Sequence, residues 1–384
     1  MKNPYLLLTP GPLSTSASVK QTMLRDWCTW DDDYNLGVVQ PIRQQLVDMA
    51  LASSSITSND GETAYSTVLM QGSGTFAVES AIGSAIPRDG KLLVLINGAY
   101  GKRIAEIAEY LKIAVVSLEV AEHEWIAADV LAETLAKDAD ITHVAMVHCE
   151  TTSGILNPLE RYAAIVKAAG KVLLVDAMSS FGGIDIKVAD LGIDFLISSA
   201  NKCIQGVPGM GFVIAKRSEL LLCEGRARSL SLDLFSQWKT MEDNQGKWRF
   251  TSPTHVVRAF QQALAELNLE GGIEARAKRY VANHQTLIRG MKAQGFQCVV
   301  DADKQSPFIS TFVYPDSELF DFKKLYDCLK EEGFVIYPGK VTATPCFRIG
   351  HIGEVYPEDM QRLLVALAKH RFWEQEDALE NVSA

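Results

Sequence analysis

Short, continuous apolar runs alternate with helix-period segments along the first two-thirds of the chain. The runs include Val68-Leu69-Met70, Leu92–Ile96, His143–Val147, Val172–Val175, Phe195-Leu196-Ile197 and Gly211–Ile214. Apolar character without polar alternation suits strands covered on both faces. Between them, Thr75 to Ile86 is rich in Ala, Val and Glu. Gly101 to Leu111 sets Ile104, Ile107 and Leu111 on one face, and Leu159 to Ala169 repeats the arrangement. Such alternation predicts an α/β domain built on a mainly parallel sheet.

The pattern changes after about residue 255. Val256 to Leu269 reads as a helix closed by Gly271-Gly272, and a long charged amphipathic helix follows from Ile273 to Gln294. Short strands (Ile309–Val313, Phe334–Tyr337, Phe347–Ile349) then mix with helices near 320–332 and 357–371. The predicted organisation is an N-terminal arm over 1–15, a large α/β domain over 16–255 and a smaller α+β domain over 256–384. Ser53 to Ala64 is polar and reads as a surface loop far from any chemistry; the acidic tail after Trp373 reads as frayed.

Charge and cysteine content narrow the function. The net charge of -10 is spread without a basic patch, which argues against nucleic acid. The seven cysteines include no CxxC, so neither a disulfide framework nor a metal site is expected, and a reducing, cytoplasmic setting fits. No window approaches a membrane span, and the apolar stretch near the N-terminus is too short for a signal peptide.

Candidate chemistry falls at the C-terminal ends of the strand-like runs, where open α/β sheets bind ligands. Gln71-Gly72-Ser73-Gly74-Thr75 joins a strand to a helix, and its hydroxyls and amides suit a phosphate. Tyr100, in Asn97–Gly101, could stack on a flat ring. A hydroxyl in His148–Gly154 could donate to a phenolate oxygen. His148 and Cys149 are neighbours on a strand and face opposite ways, so they do not read as a nucleophilic pair. Asp176 ends Lys171–Asp176, and Lys202 lies in the small-residue turn Ser198–Cys203. An acid and an amine at one sheet edge are what pyridoxal phosphate requires: the amine joins its aldehyde, and the acid keeps the ring nitrogen protonated. Arg348, in Cys346–Gly350, could grip a carboxylate or phosphonate. Thr251, in Trp248–Pro253, could reach a phosphate. Taken singly, each has an ordinary structural explanation as a capped turn, a packed tyrosine or a rim salt bridge. Their order along the chain is what unrelated turns would not supply.

That order resembles the class V aminotransferases of the fold-type I pyridoxal-phosphate enzymes, over most of the chain. The specific stretches are Leu8–Pro12, Cys28–Asn35, Asp176–Gly183, Ser198–Gly206, Lys247–Thr254 and Gly333–Lys340. The resemblance implies Lys202 as the cofactor-bearing, proton-moving amine and Asp176 as partner of the ring nitrogen. It implies Tyr100 stacked on the ring, Ser73, Gly74 and Thr75 on the phosphate, Thr151 near the phenolic oxygen, and Asn201 beside the lysine. Thr251 would reach the phosphate of a neighbouring subunit's cofactor, making a homodimer with shared sites, and Arg348 would bind the acceptor's carboxylate and the phosphonate. The N-terminal Pro/Gly segment would lie near the site mouth or the partner. The implied reaction is transamination between 2-aminoethylphosphonate and pyruvate in phosphonate catabolism, giving phosphonoacetaldehyde and L-alanine. Serine–pyruvate and alanine–glyoxylate transamination share the same cofactor residues. A cysteine desulfurase fits less well, because Cys328 and Cys346 lie in regular patterns rather than an exposed loop. A non-catalytic ligand-binding protein of this fold would not need the Lys202–Asp176 pair.

Overall fold

The computed structural model describes residues 4–52, 64–339, 341 and 344–374. Residues 53–63 of the predicted surface loop, Lys340, and the tail beyond 374 lie outside the described residues.

A seven-stranded sheet forms the centre. Its strands, in chain order, are β1 (Tyr65–Gln71), β2 (Lys91–Ile96), β3 (Ala114–Glu119), β4 (Ile141–Val147), β5 (Val172–Asp176), β6 (Phe195–Ser199) and β7 (Met210–Lys216). The spatial order is β1-β7-β6-β5-β4-β2-β3. The pairs from β6 through β3 are parallel, whereas β7 runs antiparallel to both β6 and β1. The apolar runs therefore read correctly as doubly covered strands. In β2, Leu92, Val94 and Ile96 enter one hydrophobic cluster, while Leu93 and Leu95 enter the cluster on the opposite face. Pairing along the sheet also brings strand ends together: Asp176 lies opposite Val147 on one side and Ile197 on the other.

Strand β3 has no counterpart among the predicted runs. It is an edge strand whose residues are half-exposed or exposed, so Ser117 and Glu119 interrupt the apolar signal. The expected strand over Phe334–Tyr337 divides in two. Phe334–Val335 pairs with Leu6–Leu7 in parallel, and Tyr337–Pro338 (β9) joins a second sheet. That sheet has the order β8 (Ile309–Val313), β10 (Cys346–Gly350), β9, with antiparallel pairing throughout.

The N-terminal arm is thus strapped to the C-terminal part of the chain. Leu8 donates its N–H to Val335 O at 2.8 Å and accepts from Gly350 N at 2.9 Å. A Cβ on Gly350 would stand 2.3 Å from Thr9 O, so the close approach of arm and sheet needs glycine there. Two helices follow the large sheet, Thr254–Glu270 and Gly272–Ala293. Val257, Phe260, Leu264 and Leu267 of the first lie in the hydrophobic cluster on one face of the large sheet.

One buried acid ties the sheet to its connections. Asp194 accepts from Leu173 N at 2.7 Å and pairs with Lys167 and Lys216 at 2.7 and 2.9 Å. Its removal strands a buried backbone donor and two half-buried ammonium groups. Asp194→Ala is expected to lower the unfolding free energy by about 2–4 kcal/mol. Urea titration of variant and wild type would check this, and equal midpoints would contradict it.

Candidate active site

A cavity opens at the C-terminal edge of the parallel strands. Ser73, Gly74, Thr75, Tyr100, Thr151, Asp176, Asn201 and Lys202 all line it. Each reaches the cavity because a strand has just ended. β1 delivers the Ser73 turn, β2 the Tyr100 turn, β4 the Thr151 turn, β5 Asp176 itself and β6 the Lys202 turn. Two predicted residues stand apart. Arg348 and Thr251 are not among the lining residues; Arg348 is buried in β10 and Thr251 is exposed.

The phosphate-type segment begins the helix Gly74–Ala85, with Ser73 at the N-cap and no side-chain cap bond. Its first turn leaves free N–H groups at the positive end of the helix dipole. A Cβ on Gly74 would fall 2.5 Å from Met178 Sδ, so glycine lets this helix start lie against the turn after Asp176 without displacing the Met178 side chain.

Asp176 is buried, and Met178 N donates to its Oδ1 at 2.9 Å. Burial pushes its carboxyl up to about 6, against the opposing pull of the Met178 hydrogen bond. Lys202 is half-buried, and its Nζ donates to Pro10 O of the N-terminal arm. Burial holds the amine below its usual range. The arm fits tightly here: a Cβ on Gly11, whose φ is +126°, would lie 2.9 Å from Lys202 Nζ.

Arg348 spends two of its N–H groups on the chain itself. Its Nε donates to Pro338 O at 3.0 Å and its Nη1 to Thr151 O at 2.9 Å, with the Tyr337 ring 5.1 Å away. The guanidinium is thereby tied to the Thr151 turn, and among the described residues three of its five N–H groups remain for an anion. His148 and Cys149 do part, as strand geometry requires. Cys149 lines the cavity, while His148 Nδ1 bonds Ser180 Oγ at 2.9 Å and burial lowers its pKa to about 4.

Two contributors escaped the sequence reading. Arg103 lines the cavity and stands over the Tyr100 ring at 5.0 Å. Its place three residues after Tyr100 on one helix was the available signal. Glu150, fully buried, accepts from Tyr100 N, Gly101 N and Thr152. The local sequence marks it only weakly, because three of its four donors are backbone N–H groups and two of those come from another strand's turn.

The donor set fits pyridoxal phosphate. A buried acid, an amine with a depressed pKa, an aromatic ring and a hydroxyl-bearing helix start converge on one cavity. No cluster of three or more metal-ligating side chains occurs among the described residues, and none of the seven cysteines is in a disulfide. No described helix is long and apolar enough to cross a membrane.

Comparison with known proteins points the same way. The family model for aminotransferase class-V matches residues 60–357. A 2-aminoethylphosphonate–pyruvate transaminase of Vibrio vulnificus strain CMCP6 is 59% identical over 374 residues, covering 97% of this chain and 100% of that protein. The protein of that name from Bacteroides fragilis is 59% identical over 361 residues, covering 94% and 97%. Among solved structures, pyridoxamine-pyruvate aminotransferase from Mesorhizobium loti superposes with TM-score 0.83 at 25% identity, covering 96% of this chain and 92% of the other. An alanine–glyoxylate aminotransferase from Nostoc sp. reaches 0.85 at 23%, covering 96% of each, a likeness of fold.

The raised pKa of Asp176 has a sign that can be measured in the cofactor-free protein. Its ordinary value is 3.8 and burial moves it to about 6. Its contribution to stability is therefore present below about 4 and is lost as pH rises through about 6. Asp176→Asn should lack this loss, so its stability relative to wild type should rise across that window. A pH-independent difference between the two, in denaturant titrations, would contradict the assignment.

Proposed function

The chain belongs to the class-V aminotransferases, and from that premise we propose that it transfers the amino group of 2-aminoethylphosphonate to pyruvate, with pyridoxal phosphate as cofactor. The products are phosphonoacetaldehyde and L-alanine. The observation that carries the reading is the convergence of Lys202 and Asp176 on one cavity at the ends of β5 and β6. The near full-length identity to proteins named for this reaction supplies the substrate pair.

When bound, pyridoxal phosphate supplies an aldehyde that takes up the amine and a ring that withdraws the electron pair released at the amine-bearing carbon. The chain's residues do the rest. Lys202 Nζ, whose neutral form burial favours, takes the proton from the amine-bearing carbon of the donor and later returns one to C2 of the acceptor's skeleton. Asp176 would keep the ring nitrogen protonated by accepting its hydrogen bond, as an ionised carboxylate paired with a positive charge. Ser73, Thr75 and the amides beginning with Gly74 bind the phosphate dianion. Tyr100 covers one ring face, Thr151 donates toward the phenolic oxygen, and Asn201 lines the site beside the lysine. The Pro10–Gly11 segment excludes water above Lys202.

Arg348 grips the acceptor's carboxylate, and the donor's phosphonate in the other half-reaction, with the N–H groups that Thr151 and Pro338 leave open. Thr251 serves a neighbouring subunit's phosphate, so the working form is a homodimer with shared sites. Its exposure, beside the half-exposed Phe250, supports this. The cytoplasm is the setting that fits cysteines without disulfides.

The reading is tested by adding 2-aminoethylphosphonate alone to the cofactor-loaded protein. The visible absorption of the bound cofactor should give way to that of its amine form, and pyruvate should restore it with release of alanine. Lys202→Ala should lose both the response and turnover. A wild-type response to alanine or serine but not to the aminophosphonate would retain the cofactor and reject this donor. Arg348→Lys should raise the pyruvate KM by about 10–100-fold, since a point charge replaces a planar fork. An unchanged KM would remove Arg348 from acceptor binding.

A further inference from the structure

Glu150 has neither a solvent contact nor a place in the chemistry described so far, yet every oxygen it carries is occupied. Its Oε2 accepts from Tyr100 N at 3.0 Å and from Gly101 N at 3.3 Å. Its Oε1 accepts from Thr152 Oγ1 at 2.7 Å and from Thr152 N at 3.3 Å. The first pair belongs to the opening of the helix Ala99–Tyr110, the second to the turn after β4. One carboxylate thus joins two segments that are far apart in sequence and both line the cavity.

The approach is built into the backbone. A Cβ on Gly98 would lie 2.2 Å from Glu150 Cγ and 2.7 Å from Thr152 Oγ1. Only a residue without a side chain lets the carboxylate slide beneath the helix start. Negative charge there also suits the positive end of the helix dipole. A second tie lies next to it: Asn97 and Asn157 exchange side-chain hydrogen bonds at 2.8 and 3.1 Å, and Asn157 Nδ2 also donates to Val147 O at 2.8 Å. The helix start is therefore held from two sides, but only Glu150 grips the N–H of Tyr100 itself.

We propose that Glu150 is a positioning residue: its carboxylate fixes the height and tilt of the Tyr100 ring over the cavity floor by bracing the helix start against the Thr151–Thr152 turn. The proposal rests on the reading of Tyr100 as the cofactor-covering ring. It assigns Glu150 no contact with cofactor or substrate. The expected effect is on retention of the cofactor, transmitted through one side chain.

A double-mutant cycle on the cofactor-loaded protein tests this, reading the dissociation constant of pyridoxal phosphate by equilibrium dialysis. Tyr100→Ala alone should weaken retention about 10-fold or more, as loss of a ring contact does. Glu150→Gln keeps the volume but turns an NH2 toward one pair of donors, and should weaken retention about 10-fold on its own. In the Tyr100→Ala background the same change should cost less than about twofold, because nothing remains to be positioned. Thr152→Ala, which removes one donor and leaves the acid, should show a smaller loss with the same dependence, and decides the case if Glu150→Gln does not fold. Losses that multiply would mark a general structural role and overturn the proposal while leaving Tyr100 in place. No loss in Glu150→Gln would overturn it too. No loss in Tyr100→Ala would reject the reading of Tyr100 and the proposal with it.

Discussion

Keeping a carboxylate and an amine out of water at one sheet edge is the constraint on which the rest of the molecule depends. A buried Asp176 costs free energy, which appears as its raised pKa, and a buried Lys202 costs free energy of the same origin. Neither could persist on a mobile loop. Parallel strands covered on both faces supply the rigidity, because Asp176 is still paired in the sheet with Val147 and Ile197 when its side chain enters the cavity. The two hydrophobic clusters hold the sheet flat against its helices, and the cavity inherits their order.

Around this pair, the remaining groups sit on turns after strands, at helix starts and, for Arg348, in β10. Specific bonds hold the turns. Met178 N fixes the one after β5, Thr151 O fixes Arg348, and Gly74 permits the helix start to meet Met178. A site assembled this way tolerates little slack, since a ring carried at a helix start, or a guanidinium bonded to a turn, moves with that backbone.

The fold was legible where burial made the sequence simple. Strands such as Leu92–Ile96 announce themselves because both faces meet apolar neighbours. Ala114–Glu119 did not, because an edge strand half in water carries Ser and Glu among its apolar residues. Phe334–Tyr337 looked like one strand, yet its two ends pair with different partners, a matter of tertiary geometry that composition does not encode. At the site, residues whose type is chemically distinctive (Lys202, Asp176, Tyr100) could be picked out from strand ends alone. The bonds of Arg348 to two carbonyls, and three of the four donors gathered by Glu150, involve backbone groups, which are the same in every residue and so leave no trace in the sequence.

The N-terminal arm carries a consequence for the order of assembly during synthesis. Residues 6–8 are synthesised long before the strand at Phe334–Val335 and the N–H of Gly350 that receive them. The arm must wait, unpaired, while the intervening chain is made. Until it docks, no carbonyl of Pro10 lies over Lys202, and the amine that defines the site stands open to water. Such a long-range closure is a late event in folding. The large sheet can be complete on a nascent chain whose reactive lysine is not yet roofed.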